Sequence, residues 1–313
     1  MLLGEHAVIY GFPCIVTAVD MRVQVTLEEI STENIFIETP MTRLKKEKIR
    51  IPLSELENLK PTNAISFVTA TIKLFKRFYQ ISSGIDIKTF GPEKKYGLGS
   101  SSAITVAVAY GLCNLYGIHI DKHELFRLCH AAVMDVQGEA SGFDVASAIF
   151  GGTIFYENRG EVITQIQTDS LPIIIGYSGK KMSTVNLVES VRQLYSRREK
   201  HIDKIFETIG DLVIDAREAI IETNWRNLGE LININQGLLE ALGVGSPNLA
   251  TPIYAARDNG ALGAKLSGAG GGDCMFALSE PRLLNAVEKA IRDSGTEVAQ
   301  IENNSPGVRV ENF

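Results

Sequence analysis

Three loops rich in glycine and serine interrupt this 313-residue chain, and each lies beside an apolar stretch. They cover residues 97–103, 137–144 and 267–274. Glycine loses more backbone entropy on folding than any other residue, so a glycine run indicates a backbone that must come close to a ligand or to another backbone. The loops therefore favour a protein that mixes helices and strands and uses loop backbone for binding.

The composition restricts the possible partners. Hydrophobic residues make up 45% of the chain and charged residues 22%, which excludes a mainly disordered, collagen-like or coiled-coil protein. With 31 Lys and Arg against 37 Asp and Glu, the net charge is −6. A mildly acidic chain lacks the basic surface of a general nucleic-acid binder, so we predict no nucleic-acid partner. Backbone N–H groups can still bind phosphate locally.

The cysteines and the apolar runs predict a cytoplasmic protein. Without a CxxC pair, cysteines in apolar stretches are typical of buried, reduced thiols rather than of a disulfide framework or a zinc site. They are Cys14, Cys113, Cys129 and Cys274. No apolar run reaches the roughly 18 residues of a membrane span, and the first residues lack the basic and apolar regions of a signal peptide. We therefore predict no membrane partner.

Hydrophobic periodicity predicts an α+β chain of about two domains, with a joint near residues 167–170. Residues 22–27 alternate like a half-buried strand, and residues 62–79 have helical spacing. Asp121 can cap a helix over 122–133. Residues 184–243 are strongly helical, and 297–301 and 308–311 are predicted to be terminal strands.

The first loop has the chemistry of an anion site, with the sequence Gly97-Leu98-Gly99-Ser100-Ser101-Ser102 at the start of a helix. Its glycines allow close approach to backbone N–H groups, and the helix N-terminus carries partial positive charge. Serine hydroxyls can bind phosphate oxygen or Mg²⁺. No GKS or GKT follows, so this is not a P-loop. It is not a Rossmann GxGxxG motif either, because Ser102 stands where the third glycine would be. Alone, the motif fits a tight turn with a serine cap equally well.

The other motifs are each open to two interpretations. Asp144, in the second loop, could be a general base toward a substrate hydroxyl or a helix cap. The third loop, with three consecutive glycines at 270–272, could approach a ligand or another backbone. Glu5 and His6 stand beside an apolar segment and could be polar ligands or simply satisfied by hydrogen bonds.

In this order and at these spacings, the motifs resemble the GHMP kinases, which include galactokinase and the homoserine, mevalonate and phosphomevalonate kinases. The resemblance covers almost the whole chain. Residues 4–11 are similar to the GEHAVVYG segment, 97–103 to the GLGSSAA loop, 141–152 to the SGxD…GG segment and 263–274 to the GAKxxGAGGGGC loop. Residues 183–192 and 233–244 resemble the STxxLVxxVR and NxNQxLLxxLGV segments of mevalonate kinases, archaeal ones in particular.

The resemblance implies a two-domain α+β fold. An N-terminal ATP-binding domain like ribosomal protein S5 domain 2 would cover residues 1–168, and a ferredoxin-like C-terminal domain would cover residues 169–313. It also implies ATP and Mg²⁺ as cofactors and a small-molecule acceptor. Because family members are often dimers, it further implies a homodimer.

Site roles also follow from the resemblance. Asp144 would be the catalytic base or would orient the acceptor hydroxyl. ATP would be bound by Lys95, Gly97, Leu98, Gly99, Ser100, Ser101, Ser102, Gly268, Gly270 and Gly271. Ser101 would also ligate Mg²⁺, and the acceptor would be bound by Glu5, His6, Ser183 and Thr184.

This sequence departs from the family pattern at two places. The family usually has a Pro-Gly-Lys strand before its GEHAVVYG segment, whereas this chain begins at Met1. We interpret this as a late start that omits about eight to ten residues, the length of one strand. Mevalonate kinases also carry a Mg²⁺-binding glutamate where this chain has Val133. Asp135 and Glu139 are nearby carboxylates that could substitute.

Two acceptors compete. Mevalonate is favoured by Glu5-His6, by the 233–244 segment and by the chain length. Phosphomevalonate is favoured by three segments that resemble its kinases, at Lys95-Tyr96, 142–145 and 272–274. The absence of the mevalonate kinase glutamate at Val133 points the same way. Lys180 and Lys181 could bind the phosphate of this acceptor. We predict mevalonate and keep phosphomevalonate as the alternative. A lesser alternative is a non-catalytic metabolite-binding protein, which would not need Asp144.

Overall fold

The computed structural model describes residues 1–39, 48–59, 65–79, 81, 83–92 and 96–311. Its strands are β1 (Cys14–Thr17), β2 (Gln24–Ile30), β3 (Asn34–Glu38), β4 (Ile49–Pro52), β5 (Gly84–Phe90), β6 (Thr153–Glu157), β7 (Val162–Ile166), β8 (Ile173–Tyr177), β9 (Ala261–Ser267), β10 (Cys274–Ser279) and β11 (Glu297–Ala299). The strand predicted at 22–27 is thus confirmed with a shift of about two residues.

The α-helices and the strands follow one another in runs along the chain, which confirms the predicted α+β class. They are α1 (Ser66–Tyr79), α2 (Ser100–Leu115), α3 (Lys122–Gln137), α4 (Phe143–Phe150), α5 (Thr184–Ile221), α6 (Trp225–Ala241), α7 (Pro247–Asp258) and α8 (Leu284–Asp293). None of the helices within the described residues is both long and apolar enough to cross a membrane.

The chain folds into two structural units. The first unit contains Met1–Asp20 and Gly152–Ser305, and the second contains Met21–Gly151 and Pro306–Phe313. This division differs from the predicted boundary after residue 168, because β6 and β7 form a sheet with β1 near the start of the chain. The boundary of the family domains at 168/169 stays a prediction.

The first unit contains two antiparallel sheets, ordered β1-β6-β7 and β11-β8-β10-β9. Helix α6 packs along the edge strand β9. A Cβ atom on Gly229 of α6 would lie 2.6 Å from the carbonyl carbon of Leu262, and a Cβ on Gly263 would lie 2.4 Å from the Gly229 oxygen. Glycine at both positions therefore lets the helix lie directly against the strand.

Side chains of α6 also satisfy the outer edge of β9. The Asn233 amide donates to the Leu262 carbonyl at 3.0 Å and accepts from Ala264 N–H at 3.2 Å, and Gln236 Oε1 accepts from Leu266 N–H at 2.9 Å. An edge strand otherwise presents unpaired backbone groups. The polar 233–236 motif therefore completes the hydrogen bonding of β9, and it fixes the strand that leads into the glycine loop at 268–272.

The second unit is built on one sheet, ordered β2-β5-β3-β4, in which β3 and β5 run parallel. Helix α2 approaches β2 closely, since a Cβ on Gly111 would lie 2.3 Å from Leu27 Cδ1. Asp121 caps α3 as predicted. Its carboxylate accepts from Glu124 N–H at 2.8 Å, and the Glu124 carboxylate accepts from Asp121 N–H at 3.2 Å, which is a complete capping box.

The last prediction from periodicity is wrong, because residues 308–311 do not form a strand. The chain there makes an isolated bridge between Pro306 and Gly151, and Val308 N–H donates to the Ala148 carbonyl at 2.9 Å. The end of α4 therefore provides the partners that a sheet was expected to provide.

Candidate functional site

In the second unit, the first glycine loop ends at the N-terminus of α2. Gly97 and Gly99 have φ values of +76° and +77°, in the left-handed region that glycine adopts without strain. Gly99 is the N-cap, and no side chain caps the helix within the described residues. The N–H groups of the first turn therefore lack intrahelical partners, and this is the arrangement in which a helix start can bind an anion.

The three serines of this loop differ in accessibility. Ser100 is exposed, Ser101 is half-buried, and Ser102 is buried in the helix packing. The hydroxyls of Ser100 and Ser101 are therefore the ones a ligand could reach. Lys95, predicted to bind ATP, lies outside the described residues. The roles of the others stay predictions.

Asp144 stands next to this loop. It lies in the first turn of α4, after Gly142 at φ +86°. A Cβ on Gly99 would lie 3.3 Å from Asp144 Oδ1, so the carboxylate reaches the start of α2. The side chain is solvent-accessible, but the surrounding protein desolvates the carboxyl group and raises its pKa above the usual value. A ligand can thus reach a carboxylate that water hydrates incompletely.

A histidine that the sequence analysis did not single out supports the segment before Asp144. His130 of α3 donates from Nε2 to the Ala140 carbonyl at 3.0 Å, and its ring stacks on Phe126 at 5.5 Å between centroids. This bond fixes the 138–142 loop against α3. Val133, one turn further along, is 2% exposed, so a buried apolar side chain occupies the position of the family glutamate.

The exposed carboxylate of Asp135 instead lies 4.0 Å from Lys73 Nζ. Among the residues that the structure describes, no three His, Cys, Asp or Glu side chains lie close enough together to hold a metal ion.

In the first unit, the third glycine loop is held mainly by other backbone segments. A Cβ on Gly270 would lie 2.3 Å from the Val244 carbonyl oxygen, and a Cβ on Gly272 would lie 2.4 Å from the Lys180 oxygen. Gly271 N–H donates to the Val244 carbonyl at 2.7 Å. Gly268, at φ +90°, has open space beside it. The consecutive glycines are therefore explained by close backbone approach, the second of the two interpretations.

His6 also holds this loop. Its Nε2 donates to the Ala269 carbonyl at 3.0 Å, and its φ of +62° is rare for a residue with a side chain. Burial is the largest influence on the imidazole and lowers its pKa. A neutral ring that donates one hydrogen bond is the form this position favours.

Glu5 is paired inside the protein. Its side chain is buried and forms a salt bridge with Lys265 of β9, which is fully buried and also donates to the Leu266 carbonyl at 2.6 Å. Burial lowers the pKa of Lys265, and the charge of Glu5 opposes that shift. Glu5 Oε2 is buried without a hydrogen-bond partner in the described part of the chain.

Lys265 has no role in the sequence analysis. The signal that could have found it is a single lysine within the apolar strand 261–266, since a charge in such a strand needs a counter-charge.

Ser183 and Thr184, predicted to contact the acceptor, are exposed at the start of α5. Ser183 is the N-cap, and its hydroxyl accepts from Asn186 N–H at 3.4 Å. Lys180 and Lys181 precede them and are exposed. The segment therefore presents two hydroxyls and two ammonium groups to solvent.

Two family models match the chain. The model of the GHMP kinases N terminal domain matches residues 66–152, and the model of the GHMP kinases C terminal matches residues 216–297. The first match includes the 97–102 loop and Asp144. The second includes the 268–272 loop.

Similar proteins cover the chain from end to end. The mevalonate kinase of Pyrococcus abyssi is 37% identical over 324 residues, which cover 99% of this chain and 95% of that protein. The crystal structure of Methanococcus jannaschii mevalonate kinase is similar with a TM-score of 0.81 at 25% identity, over 96% of this chain and 94% of that one.

Streptococcus pneumoniae phosphomevalonate kinase in complex with phosphomevalonate and AMPPNP has a TM-score of 0.80 at 21% identity, over 96% of both chains. At that identity it shows the shared fold alone.

Proposed function

The chain belongs to the GHMP kinase family, and we propose that it is an ATP-dependent phosphotransferase that phosphorylates the hydroxyl of mevalonate. The observation that carries the proposal is the position of Asp144 against Gly99. A carboxylate of raised pKa lies beside the start of α2, where no side chain among the described residues caps the first-turn N–H groups. A phosphate-binding helix terminus next to a base is what phosphoryl transfer to a hydroxyl requires.

In this proposal the N–H groups at the start of α2 bind the transferring phosphate, and their dipoles stabilise the negative charge of the transition state. Asp144 accepts a hydrogen bond from the acceptor hydroxyl and takes its proton as the new O–P bond forms, while the bond from the γ-phosphorus to the bridging oxygen breaks and ADP leaves. Partial desolvation raises the pKa of Asp144, which makes it a stronger base than an ordinary aspartate.

Magnesium would bind at the same place. Mg²⁺ typically uses one or two protein oxygens, keeps several waters and completes its shell with substrate phosphates. The reachable hydroxyls of Ser100 and Ser101 fit that donor set, with Ser101 as the proposed ligand. When bound, the ion would spread the charge of the phosphates. Because Val133 supplies no carboxylate, most of the shell would come from phosphate and water.

The first unit would supply the acceptor contacts. Ser183 and Thr184 offer exposed hydroxyls, and His6 is fixed beside Ala269. Glu5 is engaged with Lys265, so we propose that it acts chiefly by holding the backbone of His6. Gly268, Gly270 and Gly271 stay proposed nucleotide-binding residues, and Gly268 is the one with open space beside it. We further propose a cytoplasmic homodimer, by analogy with the family.

Phosphomevalonate remains the second candidate acceptor. Lys180 and Lys181 are exposed beside Ser183, where they could pair with a phosphate on the acceptor. The details of sequence at 142–145 and 272–274 support it as well.

The test is a transfer assay with ATP and Mg²⁺ in which ADP release is measured with mevalonate, with phosphomevalonate and without acceptor. Phosphorylation of mevalonate is the expected result. Turnover of phosphomevalonate alone would move the assignment to the alternative. Nucleotide binding without transfer to either acceptor would favour a non-catalytic metabolite-binding protein.

A further inference from the structure

The connection 138–142 leads directly into the helix that carries Asp144. It joins the end of α3 to the start of α4, and Asp144 stands in the first turn of α4. The N-cap of α4 is Gly142, and no side chain among the described residues caps this helix. Because glycine offers no capping oxygen, the placement of the first turn depends also on the segment that precedes it.

This connection turns back along α3. Gly138 ends α3 with φ +76°, in the left-handed region that lets the chain reverse. Its N–H donates to the Met134 carbonyl at 2.8 Å, which completes the last turn. Ala140 then lies within hydrogen-bond distance of His130, about two turns before the end of the helix. The chain from Gly138 to Ala140 therefore returns alongside α3 before α4 begins.

A side chain, and not the backbone, makes the bond from α3 to this connection. His130 Nε2 lies 3.0 Å from the Ala140 carbonyl oxygen. A carbonyl can only accept, so Nε2 carries the hydrogen, and the bond is kept whether the ring is neutral or protonated. The ring is half-buried and stacks on Phe126 at 5.5 Å between centroids, with 19° between the ring planes. Packing therefore orients the ring, and the ring holds the connection.

We propose that His130 is a positioning residue for Asp144, because its bond to Ala140 fixes the connection 138–142 and with it the first turn of α4. The inference rests on the proposed function, which makes Asp144 the base of the phosphoryl transfer. It assigns to a residue of α3 an effect on turnover that acts through the backbone. Misplacement of a reacting group by about 1 Å can cost about 10²-fold in rate, so a bond that fixes this connection affects kcat.

The experiment separates the hydrogen bond from the packing of the ring. His130→Phe keeps an aromatic ring on Phe126 and removes the donor, whereas His130→Gln removes the ring and keeps an amide N–H with a similar reach. The control is His123→Phe, since His123 lies on the same helix and its ring contacts Phe150 at 5.1 Å between centroids. KM and kcat are measured for ATP and mevalonate at equal folded fraction.

In His130→Phe, kcat should fall by about 2- to 12-fold, the loss of one hydrogen bond, while KM for ATP stays within about twofold. His130→Gln should recover most of that loss, and His123→Phe should keep the wild-type kcat. An unchanged kcat in His130→Phe would overturn the proposal. So would an equal loss in His130→Gln, which would assign the effect to the ring, or an equal loss in His123→Phe, which would assign it to the helix.

Amide hydrogen exchange separates this inference from the proposed function. Exchange over residues 139–146 should be faster in His130→Phe than in wild type and near wild type in His130→Gln. If wild type does not phosphorylate mevalonate, the proposed function fails and the exchange result alone decides the positioning role. Equal exchange in wild type and His130→Phe would refute that role.

Discussion

The 97–102 loop and the 268–272 loop look alike in sequence but use their glycines differently. In the first loop, Gly99 at positive φ starts a helix, and no side chain among the described residues caps the backbone N–H groups of its first turn. In the second loop, Gly270 and Gly272 are required because the backbones of Val244 and Lys180 lie too close for a side chain. The first loop leaves backbone donors available for a ligand, whereas neighbouring backbone segments hold the second loop in place.

The difference shows what a glycine run alone can predict. Both uses follow from the absence of a Cβ atom, so composition cannot tell them apart. The element that follows the loop is more informative. A helix start leaves donors free, whereas β10 continues the antiparallel ladder with β8 and β9 and uses the backbone groups on both sides. Substitutions that affect one loop and spare the other test this distinction.

The largest effect is expected at Asp144, beside the first loop. Asp144→Asn should lower kcat by about 10²- to 10⁴-fold, because a positioned base is lost, and should leave ATP affinity largely intact. Because the pKa of Asp144 is raised, wild-type activity should fall with decreasing pH sooner than an ordinary aspartate would predict. That acid limb should disappear in the variant. Stopped assays over a pH series measure both.

The matched control for that prediction is Asp135→Asn, which neutralises an exposed carboxylate of the same unit. It should retain wild-type kcat and pH profile. An Asp144→Asn enzyme with most of the wild-type kcat would remove this residue from the mechanism.

The second largest effect concerns the support of the second loop. Lys265→Met leaves the Glu5 carboxylate buried without its counter-charge, which should destabilise the protein by about 3–5 kcal/mol. The double variant with Glu5→Gln should be destabilised by less than Lys265→Met alone, because no unpaired charge remains. Urea unfolding of wild type, both single variants and the double variant measures this. Equal midpoints for Lys265→Met and wild type would contradict it.

A paired substitution compares the loops directly. Gly270→Ala should cost at least about 1–2 kcal/mol from its φ of +86°, and the overlap with Val244 adds to this cost. Gly99→Ala should have a similar conformational cost, but its methyl group would displace Asp144, and misplacement of a reacting group can cost about 10²-fold in rate. Melting temperature and kcat/KM, measured on both variants, should separate the two loops.

If Gly270→Ala lost more kcat/KM than Gly99→Ala at equal folded fraction, the second loop would contact substrate more directly than its packing indicates. If Gly99→Ala changed only the melting temperature, the first loop would lose its assigned role as the phosphate site.

Local chemistry explains which parts of this fold could be predicted. Asp121 and Glu124 form a capping box whose partners lie three residues apart, so the sequence shows them directly. Lys265 was missed because its partner, Glu5, is 260 residues away in sequence. Residues 308–311 alternate like a strand, but the nearby hydrogen-bonding partners are at the end of α4 rather than in a sheet.

For the candidate site, as for the fold, the features set by short sequence motifs could be predicted and those set by tertiary contacts could not. The helix start at Gly99 and the position of Asp144 follow from short motifs and are present in the structure. The sequence showed the segment of Asn233 and Gln236 only as a resemblance to mevalonate kinases. Their hydrogen bonds to β9 could not be predicted, because they depend on the edge of β9 lying against α6. Asp273 was noted only as a resemblance to phosphomevalonate kinases, since its backbone hydrogen bonds with Ser178 and Lys180 depend on tertiary structure.

The smallest effect is expected beside the second loop, at Lys180 and Lys181. If mevalonate is the acceptor, replacing both by alanine should change kcat/KM little, because both side chains are exposed and only solvated charges are lost. If phosphomevalonate is the acceptor, each lost contact to its phosphate should cost about 1.5–3 kcal/mol, mainly through KM. The measurement is kcat/KM for both acceptors with wild type and the double variant. The contrary outcome is a wild-type enzyme that phosphorylates phosphomevalonate but not mevalonate, together with a double variant that has lost this activity. It would show that this segment binds a phosphate and that the proposed acceptor is wrong.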